Sequence, residues 1–227
     1  GATVILVCRN RAAGEHARQE IVAATRNPQI ELLVADLAVQ ADVRAVARAV
    51  RLQHQQLHLL ISNAGAYYPQ RVTTADNIEA TFAVNHLAGF ILIGELLDVM
   101  KAAAPARIVL VASAAHQRVS DPEDWESTKG YGAFAAYARS KLANVMFGYD
   151  LARQLAGTGV TVTSCHPGLV NSQLLETIYN RWWLRWLYPA TKELLTITPE
   201  QGAETVLYLA TSADVEGVTG KYFRKMK

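Results

Sequence analysis

Apolar and polar positions follow two periods along this chain. Short runs of β-branched and apolar residues recur at 3–8, 30–35, 57–62, 107–112 and 160–165. These runs are nearly continuous in hydrophobicity, as in strands covered by helices on both faces. Between them the spacing changes to three and four. Val43, Val46, Ala47 and Val50 make one stripe, with Arg44, Arg48 and Arg51 on the other side. Ala138, Leu142, Val145, Tyr149 and Ala152 make a second. A third helix announces its start with Thr198 as N-cap, Pro199 at the first position and Gln201 at the third, a capping-box pattern that continues to about residue 211. Strands alternating with helices predict an α/β fold, a doubly wound parallel sheet with helices on both faces. A length of 227 residues with 51% hydrophobic content suits one domain over 1–227.

Charge narrows the function classes. The 22 basic and 20 acidic residues leave a net +2 spread along the chain. No basic arm or stripe marks a nucleic-acid surface. No unbroken apolar run reaches the roughly 18 residues needed to span a bilayer, and no signal peptide opens the chain. A cytoplasmic protein is expected. Cys8 and Cys165 sit near strand ends without a paired framework, so reduced, buried thiols are expected. His54 and His58 are spaced as a helical metal pair, but His58 enters a strand and no third ligand is near, so no metal site is predicted. His116 either orients its loop or faces solvent.

The candidate chemistry is a proton-transfer site. Tyr137 and Lys141 are four apart on a helix and share a face, where an ammonium favours the phenolate form of a tyrosine. Ser113 closes a strand, the position where α/β sheets present ligands. Asn85 falls mid-helix, where asparagine has mediocre propensity. Asn63, Ala64 and Gly65 follow a strand and permit close backbone approach. Each has a plain alternative: an exposed helix pair, a turn former, a solvated helix face, an ordinary strand-to-helix turn.

Their order changes the balance. Asn63-Ala64-Gly65, Asn85, Ser113, Tyr137 to Lys141 and Pro167-Gly168, in this succession, resemble the short-chain dehydrogenase/reductase family. Cys8-Arg9-Asn10, Asn85-His86-Leu87, Ser140-Lys141-Leu142-Ala143-Asn144, His166-Pro167-Gly168 and Gly220-Lys221-Tyr222-Phe223 look most like its retinol-dehydrogenase branch. The resemblance implies a Rossmann-like domain with Tyr137 as acid/base. It implies that Lys141 lowers the tyrosine's pKa and bonds the nicotinamide ribose, that Ser113 holds the substrate oxygen, and that Asn85 positions a relay water. The cofactor is expected to meet Arg9, Asp36, Leu37, Asn63, Ala64, Gly65, Tyr137, Lys141, Pro167, Gly168, Val170 and Ser172. Arg9-Asn10-Arg11 stands where an NAD enzyme often carries an acid, and so points to NADP(H). A surface arginine beside Glu15 is the plain alternative. Ser172 replaces a common threonine, and Asn171 departs from a basic residue frequent in the branch.

The family's opening strand and glycine-rich turn are missing from this pattern. An absent N-terminal βα unit is therefore expected, with two strands deprived of a shared neighbour and cofactor binding weakened. The segment 173–197 is rich in aromatics, with Tyr179, Trp182, Trp183, Trp186 and Tyr188 among Arg181, Arg185 and Lys192. It suits a substrate lid, a core layer or a patch on a membrane surface. The sequence is read as an NADP(H)-dependent oxidoreductase that interconverts a lipophilic aldehyde or ketone and its alcohol, with a homodimer and peripheral membrane contact as open partners. The alternatives are a nucleotide-binding module without catalysis and an inactive fragment.

Overall fold

The computed structural model describes residues 1–171, 177 and 196–227. Among the described residues six strands alternate with helices, and every strand-to-strand pairing is parallel. Strand β1 (Val4–Cys8) pairs with β2 (Ile30–Val34) in a two-stranded sheet. Strands β3 (Leu59–Ser62), β4 (Ala106–Val111), β5 (Val160–His166) and β6 (Lys221–Arg224) form a second sheet in that order. The expected strands are present with ends shifted by one or two residues, and β6 joins them from the Gly220 segment. β1 and β3 do not pair with each other.

Helix α1 (Arg11–Thr25) opens on Asn10, whose side chain accepts the Ala13 amide. Helix α2 (Gln40–Gln53) buries Val43, Val46, Ala47 and Val50 and exposes Arg44, Arg48 and Arg51, as its periodicity predicts. Next comes a continuous helical stretch: α3 (Ala80–Phe82), a π-helical turn (Ala83–Leu87) and α4 (Ala88–Ala102). Glu79 starts it by accepting the Thr81 and Phe82 amides. The 23 residues Ala80–Ala102 are long and apolar enough to cross a membrane by length and composition. That differs from the sequence expectation, because Asn85, His86 and Glu95 break the run without cancelling its mean hydropathy. Here the stretch is a core helix, with Ile93 and Met100 fully buried. Arg44 pairs with Glu95, and Arg51 donates to the Glu95 carbonyl at 3.0 Å, tying α2 to α4.

Helix α5 (Ala133–Gln154) lies on β4 and β5, and α6 (Pro199–Thr211) starts with the predicted capping box. Arg107 donates to the carbonyls of Leu209 and Ser212 and closes the C-terminal end of α6. One apolar core joins Val46 and Val50 of α2, Ile93 and Leu96 of α4, Ile108 and Leu110 of β4 and Val162 of β5, and Ile5, Val7 and Leu33 pack against it. Strands of both sheets thus share one core. On α5, Ala138, Val145 and Ala152 are buried as expected, but Tyr149 is exposed. The lid expected over 173–197 lies outside the described residues except for Thr177, Thr196 and Ile197.

Candidate active site

Register brings the predicted groups to one edge. In the four-stranded sheet Ser62 stands opposite Leu110 and Val111 opposite Cys165, so Asn63, Ser113 and Pro167 all follow C-terminal strand ends. In the two-stranded sheet Cys8 faces Val34, so Arg9 and Asp36 share an edge in the same way. Helix α5 lays Tyr137 and Lys141 beside Ser113. The Ser113 hydroxyl is a hydrogen-bond partner of Tyr137 and also accepts the Ala115 amide at 3.2 Å. His116 donates from Nδ1 to the Ser113 carbonyl at 2.6 Å and packs edge-on against Tyr222. His116 therefore orients the serine's turn rather than facing solvent.

The electrostatics depart from the simple expectation. Burial raises the Tyr137 phenol above its ordinary value, and the bond to Ser113 draws it part of the way back. Lys141 is 3% exposed, and burial lowers it to about 8. Its Nζ donates to the Val111 carbonyl at 2.9 Å and stands 5.8 Å from the centre of the tyrosine ring. With the protein alone, desolvation outweighs attraction and both groups are driven toward their neutral forms. Cys165, fully buried close by, is pushed up to about 12 and stays a thiol. Cys8 is only partly buried and donates to the Asn10 carbonyl.

Asn85 is 2% exposed, at the middle of the π-helical turn rather than in a regular helix. Its Oδ1 accepts the Ala66 amide at 2.6 Å, while its Nδ2 donates to the Ala66 carbonyl at 3.1 Å and to Ser140 Oγ at 3.0 Å. Both amide hydrogens are used by protein groups. The arrangement is a clamp between the loop after β3 and helix α5. Two of its partners, Asn144 and Ala66, were not singled out as functional by the sequence. Their only signal was a polar residue inside an apolar helix and a small residue following Gly65.

The cofactor candidates are placed as follows. Asn63, Ala64 and Gly65 expose their backbone. Gly65 has no left-handed φ, and a Cβ there would meet Lys141 Nζ at 3.7 Å and Asn85 Oδ1 at 3.8 Å, ordinary contacts. Its smallness leaves room and does not serve an unusual conformation. Gly168 is the residue that uses glycine's freedom, with φ of 100° and the tip of Ile197 within 2.6 Å of where a Cβ would lie. Val170 bridges to Ile197. Ser172 lies outside the described residues. Asp36 turns its carboxylate onto the Ala38 amide, and Leu37 packs against a small cluster with Val43 and Ile91. Arg9 is exposed and has no ion pair among the described residues. His54 bonds Glu31 at 3.0 Å, joining the end of α2 to β2, and His58 is exposed.

The chain is similar to known proteins along most of its length. Mouse retinol dehydrogenase 14 is 40% identical over 100% of this chain and 71% of its own length. A chicken WW domain-containing oxidoreductase is 37% identical over 98% of this chain. This chain spans 55% of that relative's length. The NADPH-bound structure of a short-chain oxidoreductase from Pseudomonas aeruginosa superposes with a TM-score of 0.74 at 20% identity, over 98% of this chain and 85% of that one, and shares its fold. A sequence profile described as short chain dehydrogenase matches residues 1–181. With the tyrosine, lysine, serine and asparagine gathered at one sheet edge and this match behind them, the chain belongs to the short-chain dehydrogenase family of oxidoreductases and is retinol-dehydrogenase-like.

Proposed function

We propose that the chain catalyses the NADP(H)-dependent interconversion of a lipophilic aldehyde or ketone and its alcohol, with Tyr137 as acid/base. The observation that carries this is the convergence of Tyr137, Ser113 and Lys141 where α5 crosses the C-terminal ends of β4 and β5. The residues fit a dinucleotide: Arg9 is exposed without an acidic partner among the described residues, residues 63–65 are exposed after β3, and Gly168 takes a left-handed φ after β5. Arg9 would meet the 2′-phosphate, with Asp36 and Leu37 at the adenine. Asn63, Ala64, Gly65, Pro167, Gly168, Val170 and Ser172 would hold the remainder. When bound, the nicotinamide supplies or accepts the hydride.

The residues themselves move the proton. Burial raises the Tyr137 phenol and favours its protonated form, which donates to a nascent alkoxide in carbonyl reduction, while its phenolate would take the proton in alcohol oxidation. Ser113 holds the substrate oxygen through its hydroxyl. Lys141, 5.8 Å from the ring centre, offsets the phenolate left on Tyr137 after donation. The lipophilic substrate class draws on the retinol dehydrogenases among the relatives and on the aromatic segment 173–197, which would cover the substrate. The test is Tyr137→Phe, assayed with NADPH and a panel of long-chain and polyene aldehydes. Turnover should fall by about 10²–10⁴-fold while NADPH binding is kept. Retained turnover refutes the assignment.

A further inference from the structure

The clamp around Asn85 is itself held from behind. The Asn85 backbone carbonyl accepts Nδ2 of Asn144 at 2.9 Å. A carbonyl only accepts, so the Asn144 amide is oriented with its nitrogen toward Asn85 and its oxygen toward His86 Nδ1 at 3.0 Å. His86 Nδ1 must then carry the proton. Asn144 is 4% exposed, and the His86 ring sits among Phe82, Phe90 and Phe147 with ring centres 5.1, 6.0 and 5.9 Å away. A pocket of about 620 Å³ on this side of the helices is lined by these rings and Trp125 but by none of the proposed catalytic groups.

The series of contacts continues to the reacting tyrosine. Asn85 grips both backbone groups of Ala66, and the next ring, Tyr67, lies edge-on to Tyr137 at 6.0 Å. Asn85 also donates to Ser140 Oγ, which donates to the Tyr137 carbonyl at 2.7 Å. A π-helical turn makes poorer use of its own backbone than an α-helix and is common at functional sites, so outside support has a purpose here.

We propose that Asn144 and His86 are positioning residues for the reaction: His86 fixes the amide of Asn144, Asn144 fixes the π-helical turn, and the turn holds Asn85 so that the loop at Ala66 and Tyr137 keep their places. This rests on the assignment of Tyr137. Their hydrogen bonds run to each other and to Asn85, not to Ser113, Tyr137 or Lys141.

Two substitutions at one position separate the hydrogen bond from the packing. His86→Phe keeps a ring among the aromatics but removes the donor, so the Asn144 oxygen loses its partner and the amide is held only by its bond to the Asn85 carbonyl. His86→Gln removes the ring but can donate to Asn144. The measurements are kcat, the KM for NADPH, the melting temperature, and hydrogen exchange of the backbone amides at 64–68 and 83–88. For His86→Phe we expect kcat to fall at least about tenfold, with KM for NADPH changed less than about threefold and faster exchange in both segments. For His86→Gln we expect kcat to recover most of that loss and exchange to stay slow. Asn144→Asp, which sets a carboxylate oxygen against the Asn85 carbonyl, should behave like His86→Phe. Wild-type exchange and kcat in His86→Phe, or a His86→Gln variant as impaired as His86→Phe, would overturn the proposal. If the wild type shows no turnover, the proposed reaction fails and the order of exchange rates alone decides: faster exchange only in His86→Phe and Asn144→Asp supports positioning, and equal rates refute it.

Discussion

Replacing Lys141 by methionine should make the protein more stable at neutral pH. The side chain is buried, and its folded-state value of about 8 lies well below the ordinary 10.5. At about 1.4 kcal/mol per tenfold, confining the ammonium costs on the order of 3 kcal/mol wherever both states are protonated. Methionine has similar length and no charge to desolvate. Loss of the bond to the Val111 carbonyl takes back about 1 kcal/mol, leaving a gain of roughly 2. For a chain of this size that is about 4–8 °C in melting temperature. The sign with pH follows from which state binds more protons. Between about 8 and 10.5 the unfolded lysine stays protonated while the folded one has lost its proton, so the wild type gains stability as pH rises through this window. The advantage of Lys141→Met should therefore be full near pH 6.5, shrink above pH 8, vanish at about pH 9.5 and turn into a deficit of about 1 kcal/mol by about pH 10.5, where only the lost hydrogen bond counts. Melting curves of both proteins across that range are the assay, with turnover lost in the variant. An advantage equal at both ends of the range, or a variant less stable throughout, would refute the burial argument.

Arg9→Asp should exchange cofactor preference, because the guanidinium is the group offered to the 2′-phosphate. Thermal-shift titration should show NADPH affinity reduced by about 10–100-fold relative to NADH, and an unchanged ratio would remove Arg9 from the cofactor site. Gly148→Val should lower the melting temperature by several degrees and kcat with it, since a Cβ there would lie 2.5 Å from Ser164 Oγ and 3.2 Å from Leu110 Cδ1. A variant with wild-type melting and turnover would show that α5 tolerates a larger separation from the sheet.

The strands were legible because burial on both faces demands unbroken apolar runs, and 107–112 became β4 with five of its six residues, Ile108 through Val111 among them, sealed from solvent or nearly so. Helix α2 was legible because one face is wet. Strand β6 is short and only half buried, so its four residues carry no period, and it was visible only as a resemblance. Helix α1 was also silent: Gly14 is its sole buried residue, and the stripe that would betray a helix is missing. The order of the candidate catalytic residues was readable from residue identity. The balance between Tyr137 and Lys141 was not, because desolvation depends on how completely the surrounding elements enclose Nζ, which spacing along one helix does not report.

Helix α5 shows most directly what periodicity misses. Read by apolar residues, its inner stripe is Ala138, Leu142, Val145, Tyr149 and Ala152, yet Tyr149 points outward. The positions 137, 141, 144 and 148 form a second stripe at helical spacing, occupied by Tyr137, Lys141, Asn144 and Gly148, and all but the tyrosine are buried. Each does separate work on that one face. Gly148 admits the helix to within contact of Ser164 and Leu110, two turns further on Lys141 can then reach the Val111 carbonyl, Asn144 supports the π-helical turn, and Tyr137 stands at the edge where Ser113 meets it. A hydrophobicity pattern scores Lys141 and Asn144 as solvent-facing. They are inside because β4 and the π-helical turn provide partners for them, and burying polar groups is tolerable only where such partners wait. The partners of Lys141 and Asn144 lie 30 and 59 positions away in sequence, so the decisive stripe of this fold is written in tertiary contacts rather than in the local period of the helix.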